Sequence, residues 1–399
     1  MNVFVAILGL AFLILIHEAG HFFAAIAVGM RPRRFYIGFP PAVVKTVRNG
    51  IEYGIGAVPL GGYVKIPGMH RPAPADADVQ FGRALHERPE LAGPLQRLKR
   101  ALAAGDDPAA DAALEELMRL GGDPPPAGLS HGIQEILDGI SPQAYWRQDT
   151  WRRVFVILAG PATNFVLAVA LFTVLFLVGG GKATTTVGSV LAGKPAAAIG
   201  LHPGDQIVTI NRQAVGPTDI SAAISGSKGK SVTLTVVRGT RYLTLGPARP
   251  QVIDGAYRLG FVLRGQELGF GASAWQSLKL TGVVTREIGK SLGRLAHGEG
   301  RKDISSPVGI TRTLDRSAGQ GLQEYLWVLG LISLSLALMN MLPLLPLDGG
   351  HIAFSIVEGV RGRAVAREVY ERVSVIGIAL VLFLFVVGIS NDVGRLGGG

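Results

Sequence analysis

The stretch Leu15-Ile16-His17-Glu18-Ala19-Gly20-His21 determines how this chain is interpreted, because it lies inside an apolar run from Val3 to Met30. On a helix, residues four apart share a face, so His17 and His21 can offer two imidazoles to one zinc ion while Glu18 lies beside them as a general base. The same pattern also occurs, without binding a metal, on the solvent-exposed faces of helices in soluble proteins. This apolar run has no such polar face. Ionisable residues in a membrane span are costly and usually mark a functional site. The motif therefore predicts a metal centre within a membrane.

Composition indicates a multi-pass membrane protein, since 48% of the residues are hydrophobic and 17% are charged. Apolar runs recur four times, and each is near the ~20 residues that a helix needs to cross the hydrocarbon core. The first run lacks a basic leader, so we expect it to remain as a helix and not to be removed as a signal peptide. The runs are Val3–Met30, Val154–Gly180, Tyr325–Leu347 and Val373–Ser390.

Arginines predict the orientation of the four spans. They follow the first run, precede the second and fill the short connection between the third and the fourth, which places both connections in the cytoplasm. The long segment between the second and third runs is then extracytoplasmic. The net charge of +10 indicates attraction to anionic membrane lipid. The sequence has no pattern of aromatic and basic residues of the kind that would predict nucleic-acid binding. The arginines are Arg31, Arg33, Arg34, Arg147, Arg152, Arg153, Arg361, Arg363, Arg367 and Arg372.

A third metal ligand is required, because a catalytic zinc ion normally has three protein ligands and one open position. The chain has no cysteine, which excludes thiolate ligands and disulfides. The best candidate is Asp348, in Asn340-Met341-Leu342-Pro343-Leu344-Leu345-Pro346-Leu347-Asp348-Gly349-Gly350-His351 at the end of the third run. Its prolines and glycines predict that the helix unwinds around Asp348, although a helix ending in a plain turn fits this stretch alone. Spans one and three run in the same direction, so Asp348 and the histidines should meet near the cytoplasmic side.

These residues resemble the site-2 proteases, the family of intramembrane zinc metalloproteases, and in particular its bacterial branch with a single PDZ domain. The resemblance extends over most of the chain. Further matching landmarks are Gly38-Phe39-Pro40, Pro59-Leu60-Gly61-Gly62-Tyr63-Val64-Lys65, Ala159-Gly160-Pro161-x-x-Asn164-Phe165 and Ser306-Pro307-Val308-Gly309-Ile310.

The resemblance implies one zinc ion held by His17, His21 and Asp348, with Glu18 activating water. It also implies that Asn340 helps to hold the substrate backbone or the developing oxyanion. The implied substrates are single-span membrane proteins cut within their transmembrane segments, such as trimmed anti-sigma factors or remnant signal peptides. Many family members place the second proline five residues after the asparagine, whereas Pro346 lies six after Asn340.

A strand-like pattern lies between the first two spans. Asn49-Gly50 is a type I′ turn signal that joins strands Val43–Arg48 and Ile51–Ala57, and a third piece, Gly61–Ile66, returns towards the membrane. A helical substrate must be opened before hydrolysis, and an exposed strand edge here could capture the opened segment by strand addition. A plain cytoplasmic hairpin is the alternative.

Thr184 to Leu263 reads as a compact β-rich domain whose run from Lys194 to Asn211 resembles bacterial PDZ domains. PDZ domains bind extended peptide tails between a strand and a helix, here predicted over Asp219–Ser225. A size filter that rejects substrates with bulky outer domains is an alternative role. The predicted strands are Thr186–Leu191, Asp205–Ile210, Ser231–Arg238 and Arg241–Leu245.

Two further segments carry weaker patterns. Residues 71–148 predict a cytoplasmic insertion with one or two surface helices, including a charged helical stretch around Leu91–Leu120. From Trp275 to Ala296, apolar residues recur at helical spacing among basic residues, as in a helix that lies on the membrane surface or packs beneath the PDZ domain.

Together these observations predict a multi-pass α-helical membrane protein with four transmembrane helices, a membrane-associated β-sheet and an extracytoplasmic α+β PDZ domain. The predicted function is a zinc endopeptidase of the plasma (inner) membrane. The alternative from another class is a membrane-anchored PDZ scaffold with a non-catalytic metal site. The predicted segments are 1–30 (first span), 31–70 (β-region), 71–148 (insertion), 149–181 (second span), 182–265 (PDZ), 266–324 (amphipathic helix and linker), 325–351 (third span), 352–372 (connection), 373–390 (fourth span) and 391–399 (tail).

Overall fold

Four long apolar helices form the framework of the computed structural model, which describes residues 2–179, 183–253, 256–266, 268–301, 304–365 and 367–397. Each is long enough and apolar enough to cross a membrane. They are Val3–Ala27, Thr150–Leu177, Leu322–Asn340 and Glu368–Gly394. All four predicted spans are therefore present.

The helices and strands follow one another in alternating blocks. In chain order, the helices are α1 (Asn2–Ala27), α2 (Pro74–Glu87), α3 (Ala92–Ala104), α4 (Asp107–Gly121), α5 (Leu129–Ile140), α6 (Thr150–Leu177), α7 (Pro195–Ala198), α8 (Asp219–Gly226), α9 (Phe270–Ala296), α10 (Pro307–Gln320), α11 (Leu322–Asn340), α12 (Asp348–Arg361) and α13 (Arg367–Gly397). The strands are β1 (Arg34–Arg48), β2 (Ile51–Lys65), β3 (Ala183–Val190), β4 (Gln206–Ile210), β5 (Gln213–Ala214), β6 (Val232–Arg238), β7 (Arg241–Ala248), β8 (Gln251–Ile253), β9 (Ala256–Arg258) and β10 (Phe261–Gly265).

Helices α1 and α6 approach closely because a small residue lies at their contact. A Cβ atom added at Gly20 would lie 2.5 Å from the carbonyl oxygen of Ala159. Thr163 on α6 donates a 3.0 Å hydrogen bond to the carbonyl oxygen of Ile16 on α1. Small residues at a helix–helix contact allow the two backbones to come close together, as in helix pairs within membranes. The turn of α1 that carries His17 is thereby pressed against α6.

The third span is interrupted, as predicted. Helix α11 ends at Asn340, earlier than the predicted Leu347, and residues 341–347 form turns before α12 begins at Asp348. The prolines in this segment cannot donate backbone hydrogen bonds to a continuing helix. A Cβ atom at Gly350 would lie 2.6 Å from the backbone nitrogen of Leu345, so the turn folds tightly against the start of α12.

The β-region is a curled sheet formed by β1 and β2. Asn49 and Gly50 have φ angles of 52° and 75°, which confirms the predicted type I′ turn. Phe35 pairs with both Tyr53 and Val64, so each long strand contributes two stretches to the sheet. The resulting order is 42–48, 51–56, 34–37 and 62–65. The stretch 34–37 was not predicted, because its partners are distant in sequence.

Residues 71–148 fold as helices α2 to α5 around a core of their own, which corrects the prediction of one or two surface helices. Phe81, Leu98 and Leu117 are at most 1% exposed in this core. The remaining core consists of leucine, isoleucine and alanine, and the alanines dilute the hydrophobic periodicity on which a prediction from sequence depends. The side of the membrane on which this bundle lies stays a prediction.

Charged pairs join the helical bundle to the sheet. Arg33, just before β1, donates two hydrogen bonds to Asp138 on α5. Lys65, at the end of β2, pairs with Glu135. Partial burial lowers the pKa of Lys65 to about 8. Both contacts lie beside the edge of the sheet that is formed by the 62–65 stretch.

The β domain, Ala183–Gly265, is built on a sheet in the order β10-β3-β4-β6-β7, with β5 paired to β4. The four predicted strands and the helix over Asp219–Ser225 are all present, whereas β5 and β8 to β10 were not predicted. Residues 180–182, where the second span meets the predicted domain, lie outside the described residues. The assignment of the domain to the PDZ fold stays a prediction.

Helix α9 packs along α6, a placement that the sequence did not predict. Ser273, Ser277 and Thr281 are buried on its inner face, and the hydroxyl groups of Ser277 and Thr173 lie 2.9 Å apart. Trp275 is 61% exposed. The membrane-surface interpretation of this outer face stays a prediction.

Candidate metal centre

Helix α1 presents His17 and His21 side by side on one buried face. Their spacing of four residues places the rings one turn apart, with the two Nε2 atoms 3.3 Å from each other. Each residue is only 7% exposed. The pair therefore faces the interior of the helical framework, away from lipid and from bulk solvent.

Asp348 approaches the two imidazoles from α12. Its Oδ2 atom lies 3.1 Å from Nε2 of His17 and 3.4 Å from Nε2 of His21. Asp348 is the first residue of α12, where the positive end of the helix dipole favours a carboxylate. The interruption after α11 is what brings this helix start to the histidines. The predicted meeting of these three side chains is thus observed.

The three facing atoms are spaced as ligands of one small metal ion. Tetrahedral coordination with bonds of about 2.05 Å places ligand atoms about 3.3 Å apart. The observed separations are 3.1, 3.4 and 3.3 Å. Asp348 Oδ2 is buried and accepts no hydrogen bond, and coordination to a bound cation would compensate this buried oxygen. Two imidazoles and one carboxylate form a donor set typical of catalytic zinc.

Helix α6 contacts the outer nitrogen of each imidazole. His21 Nδ1 donates to the carbonyl oxygen of Val156 at 2.9 Å, which leaves Nε2 free to act as a ligand. The side-chain amide of Asn164 lies 3.2 Å from Nδ1 of His17. Sequence reasoning assigned no role to either residue. A polar Asn164 within an apolar span was the available signal.

Two glycines make room for the site, and neither role was predicted. A Cβ atom at Gly62, in the 62–65 stretch of the sheet, would lie 2.8 Å from Cδ of Glu18 and 2.9 Å from its Oε1. A Cβ atom at Gly160 on α6 would lie 2.5 Å from Cε1 of His21. The sheet and α6 therefore enclose the site from two sides, with the Glu18 carboxylate directly against the sheet backbone.

Asn340 is the last residue of α11 and is half-buried. It lies on the element that leads into the turn before Asp348. Its predicted contact with substrate stays a prediction, as do the roles of Glu18 and of the three predicted zinc ligands.

Two buried histidines, a partly buried aspartate and a neighbouring glutamate, set among apolar helices, indicate the class: a membrane protein with a candidate metal centre of the hydrolytic kind.

Comparison with known proteins gives the family. Residues 5–384 match the sequence profile of Peptidase family M50, and the chain belongs to this family. It is similar to zinc metalloprotease RasP of Geobacillus kaustophilus, with 30% identity over 96% of this chain and 95% of the relative. It is also similar to RasP of Bacillus licheniformis (29% over 99% and 100%) and to metalloprotease MmpA of Caulobacter vibrioides (28% over 97% and 94%). The protein is therefore a zinc metalloprotease of the site-2 protease family.

Proposed function

We propose that this protein is an intramembrane endopeptidase that hydrolyses peptide bonds within the transmembrane segments of single-span membrane proteins. The observation that carries the proposal is the convergence of His17, His21 and Asp348 inside the helical framework, with Glu18 at their side. A site at this depth suits a substrate that lies in the membrane and disfavours soluble peptides.

The chain's own residues divide the chemistry. Zinc, when bound, supplies Lewis acidity that polarises the scissile carbonyl and lowers the pKa of water. Glu18 takes the proton from the attacking water and later returns it to the leaving amine. Asn340 donates a hydrogen bond to the oxyanion that develops at the cleaved carbonyl. His17, His21 and Asp348 hold the metal and leave one position open.

Substrate is held as an extended strand beside Glu18. A peptide bond in a helix is hidden by internal hydrogen bonds, so the cleaved segment has to be unwound and held open. The 62–65 stretch is the terminal strand of the sheet, and Gly62 within it packs against the side chain of Glu18. Strand addition along this edge would bring a substrate peptide bond to the site.

The protein lies in the plasma membrane with the metal centre near the cytoplasmic side. The arginines beside α1, α6 and α13 support this orientation. The β domain is then extracytoplasmic, where a PDZ domain can hold a substrate's peptide tail or exclude substrates with bulky outer domains. Under the exclusion role, deletion of residues 184–263 releases cleavage of untrimmed substrates, and continued rejection contradicts that role.

Cleavage of single-span test substrates by purified protein in detergent tests the proposal, with wild type compared to Glu18→Gln. We expect wild type to cut, the variant to lose cleavage, and both to hold about one zinc ion per chain, because glutamine keeps the shape of glutamate but cannot take a proton. Wild-type protein that binds zinc but cuts none of a broad panel would favour the scaffold alternative. Full activity in the variant would contradict the role of Glu18.

A further inference from the structure

Asn164 is a buried polar residue with an incomplete set of hydrogen bonds. It lies on α6 with no solvent exposure, and its side-chain Nδ2 is 3.2 Å from Nδ1 of His17. Its Oδ1 is buried without a hydrogen-bond partner. A buried amide oxygen without a hydrogen-bond partner is destabilising, so a partner for it should exist nearby.

The imidazole of His17 supplies that partner. The Nε2 atom of His17 faces Asp348 and His21, at 3.1 and 3.3 Å. A histidine that offers Nε2 to a metal carries its ring proton on Nδ1, and this proton needs an acceptor. The two ends of an amide have nearly the same shape. A half turn of the Asn164 side chain therefore puts Oδ1 where Nδ2 lies, within hydrogen-bond distance of the Nδ1–H of His17, and moves Nδ2 to the position that Oδ1 occupied.

We infer that Asn164 is a positioning residue of the zinc centre, whose Oδ1 accepts the Nδ1–H of His17 and so fixes its tautomer and ring orientation. The inference rests on the proposed function, since it requires zinc at His17. The carbonyl oxygen of Val156 does the same for His21. Ser333 on α11 donates to the backbone oxygen of Asn164 at 2.8 Å, which holds α6 at this level. Helix α6 thus orients both imidazoles of α1.

Two substitutions separate an acceptor from a donor at this position. Asn164→Asp keeps an oxygen acceptor and removes the N–H donor, whereas Asn164→Leu removes both. We expect the zinc dissociation constant of the full-length protein in detergent, measured by competition with a chelator, to rise about 10–100-fold for leucine. Aspartate should bind zinc at least as tightly as wild type. An aspartate variant weakened as much as the leucine variant, or a leucine variant equal to wild type, would overturn the inference.

Controls separate this role from packing and from the proposed function. Thr173→Val removes another buried polar group from α6, one that contacts Ser277, and should leave the zinc dissociation constant unchanged. Thermal unfolding of the metal-free proteins reports any general loss of stability. If Asn164 were merely structural, its replacement would lower stability without a difference in zinc affinity between the leucine and aspartate variants. Wild-type protein that binds no zinc overturns the proposed function and the inference together. Wild type that binds zinc, with no such difference between the variants, overturns the inference alone.

Discussion

Replacing Gly160 by alanine should displace His21 from the metal centre while the helical framework stays folded. A Cβ atom at this position would lie 2.5 Å from Cε1 and 2.8 Å from Cδ2 of the His21 ring, and closer still to Nε2. Carbon atoms in favourable contact are about 3.5 Å apart, so the ring has to move by about 1 Å. Distances in working metal sites vary by only about 0.2 Å, so a ring moved this far no longer binds the ion.

The expected loss of zinc affinity is large compared with the expected loss of stability. Removing a supporting group of a metal ligand costs about 10–100-fold, so displacing the ligand itself should cost at least about 100-fold. That factor corresponds to about 2.8 kcal/mol of binding free energy. Overpacking costs folding about 1–3 kcal/mol. The preference of a helix for alanine over glycine offsets about 1 kcal/mol of that cost.

The assay is zinc content per chain after dialysis against a chelator, together with thermal unfolding of the metal-free protein. Gly289→Ala on α9 is the matched control, because a Cβ atom there meets nothing within 4 Å. This control should retain zinc as wild type does. A Gly160→Ala protein that binds zinc with wild-type affinity would refute the assignment of His21 Nε2 as a ligand in the observed packing.

Three further outcomes are expected. Gly62→Ala should slow cleavage at least about 10-fold with zinc retained, because its Cβ displaces Glu18; zinc content and initial cleavage rates check this. Hydrogen bonds from Arg238 lower the pKa of Asp205. This pair therefore stabilises the β domain above the pH at which a free aspartate titrates. The stabilisation is lost as the pH falls through the lowered pKa. Acid unfolding of the domain, followed by a dye on a single introduced cysteine, should begin at higher pH in Arg238→Gln, and unchanged acid sensitivity would contradict this. Leu98→Ala should destabilise the α2–α5 bundle by about 2–5 kcal/mol without changing zinc affinity; proteolysis of the bundle and chelator competition measure the two effects.

Features of the site that depend on local spacing were predictable from the sequence. The four-residue spacing of His17 and His21 and the positions of the apolar runs are sufficient to place two candidate ligands on one face of an apolar helix. The direction of successive spans then brings Asp348 to the same depth. The Asn49-Gly50 turn was equally readable, because a type I′ turn requires a positive φ at both residues.

Features that depend on how distant segments meet were not predictable. Nothing local to Asn164 indicates which face of α1 it contacts, and nothing local to Gly62 indicates that a glutamate carboxylate packs against it. The stretch 34–37 of the sheet pairs with partners that are distant in sequence. The core of the insertion includes several alanines, whose weak hydrophobic signal hid at least two of its four helices.

The interruption between α11 and α12 has a thermodynamic consequence. Two of the proposed ligands belong to the first helix of the chain, and the third is joined to α11 by an irregular segment that no continuous helix holds in place. An ion shared by these elements binds only the assembled arrangement, so its binding energy adds to the stability of that assembly. At a free zinc concentration one hundred times the dissociation constant, this contribution is about 2.7 kcal/mol. Zinc binding should therefore require that the helices carrying the ligands are already assembled. The amides around Asp348 should exchange hydrogen faster in metal-free protein than in zinc-bound protein.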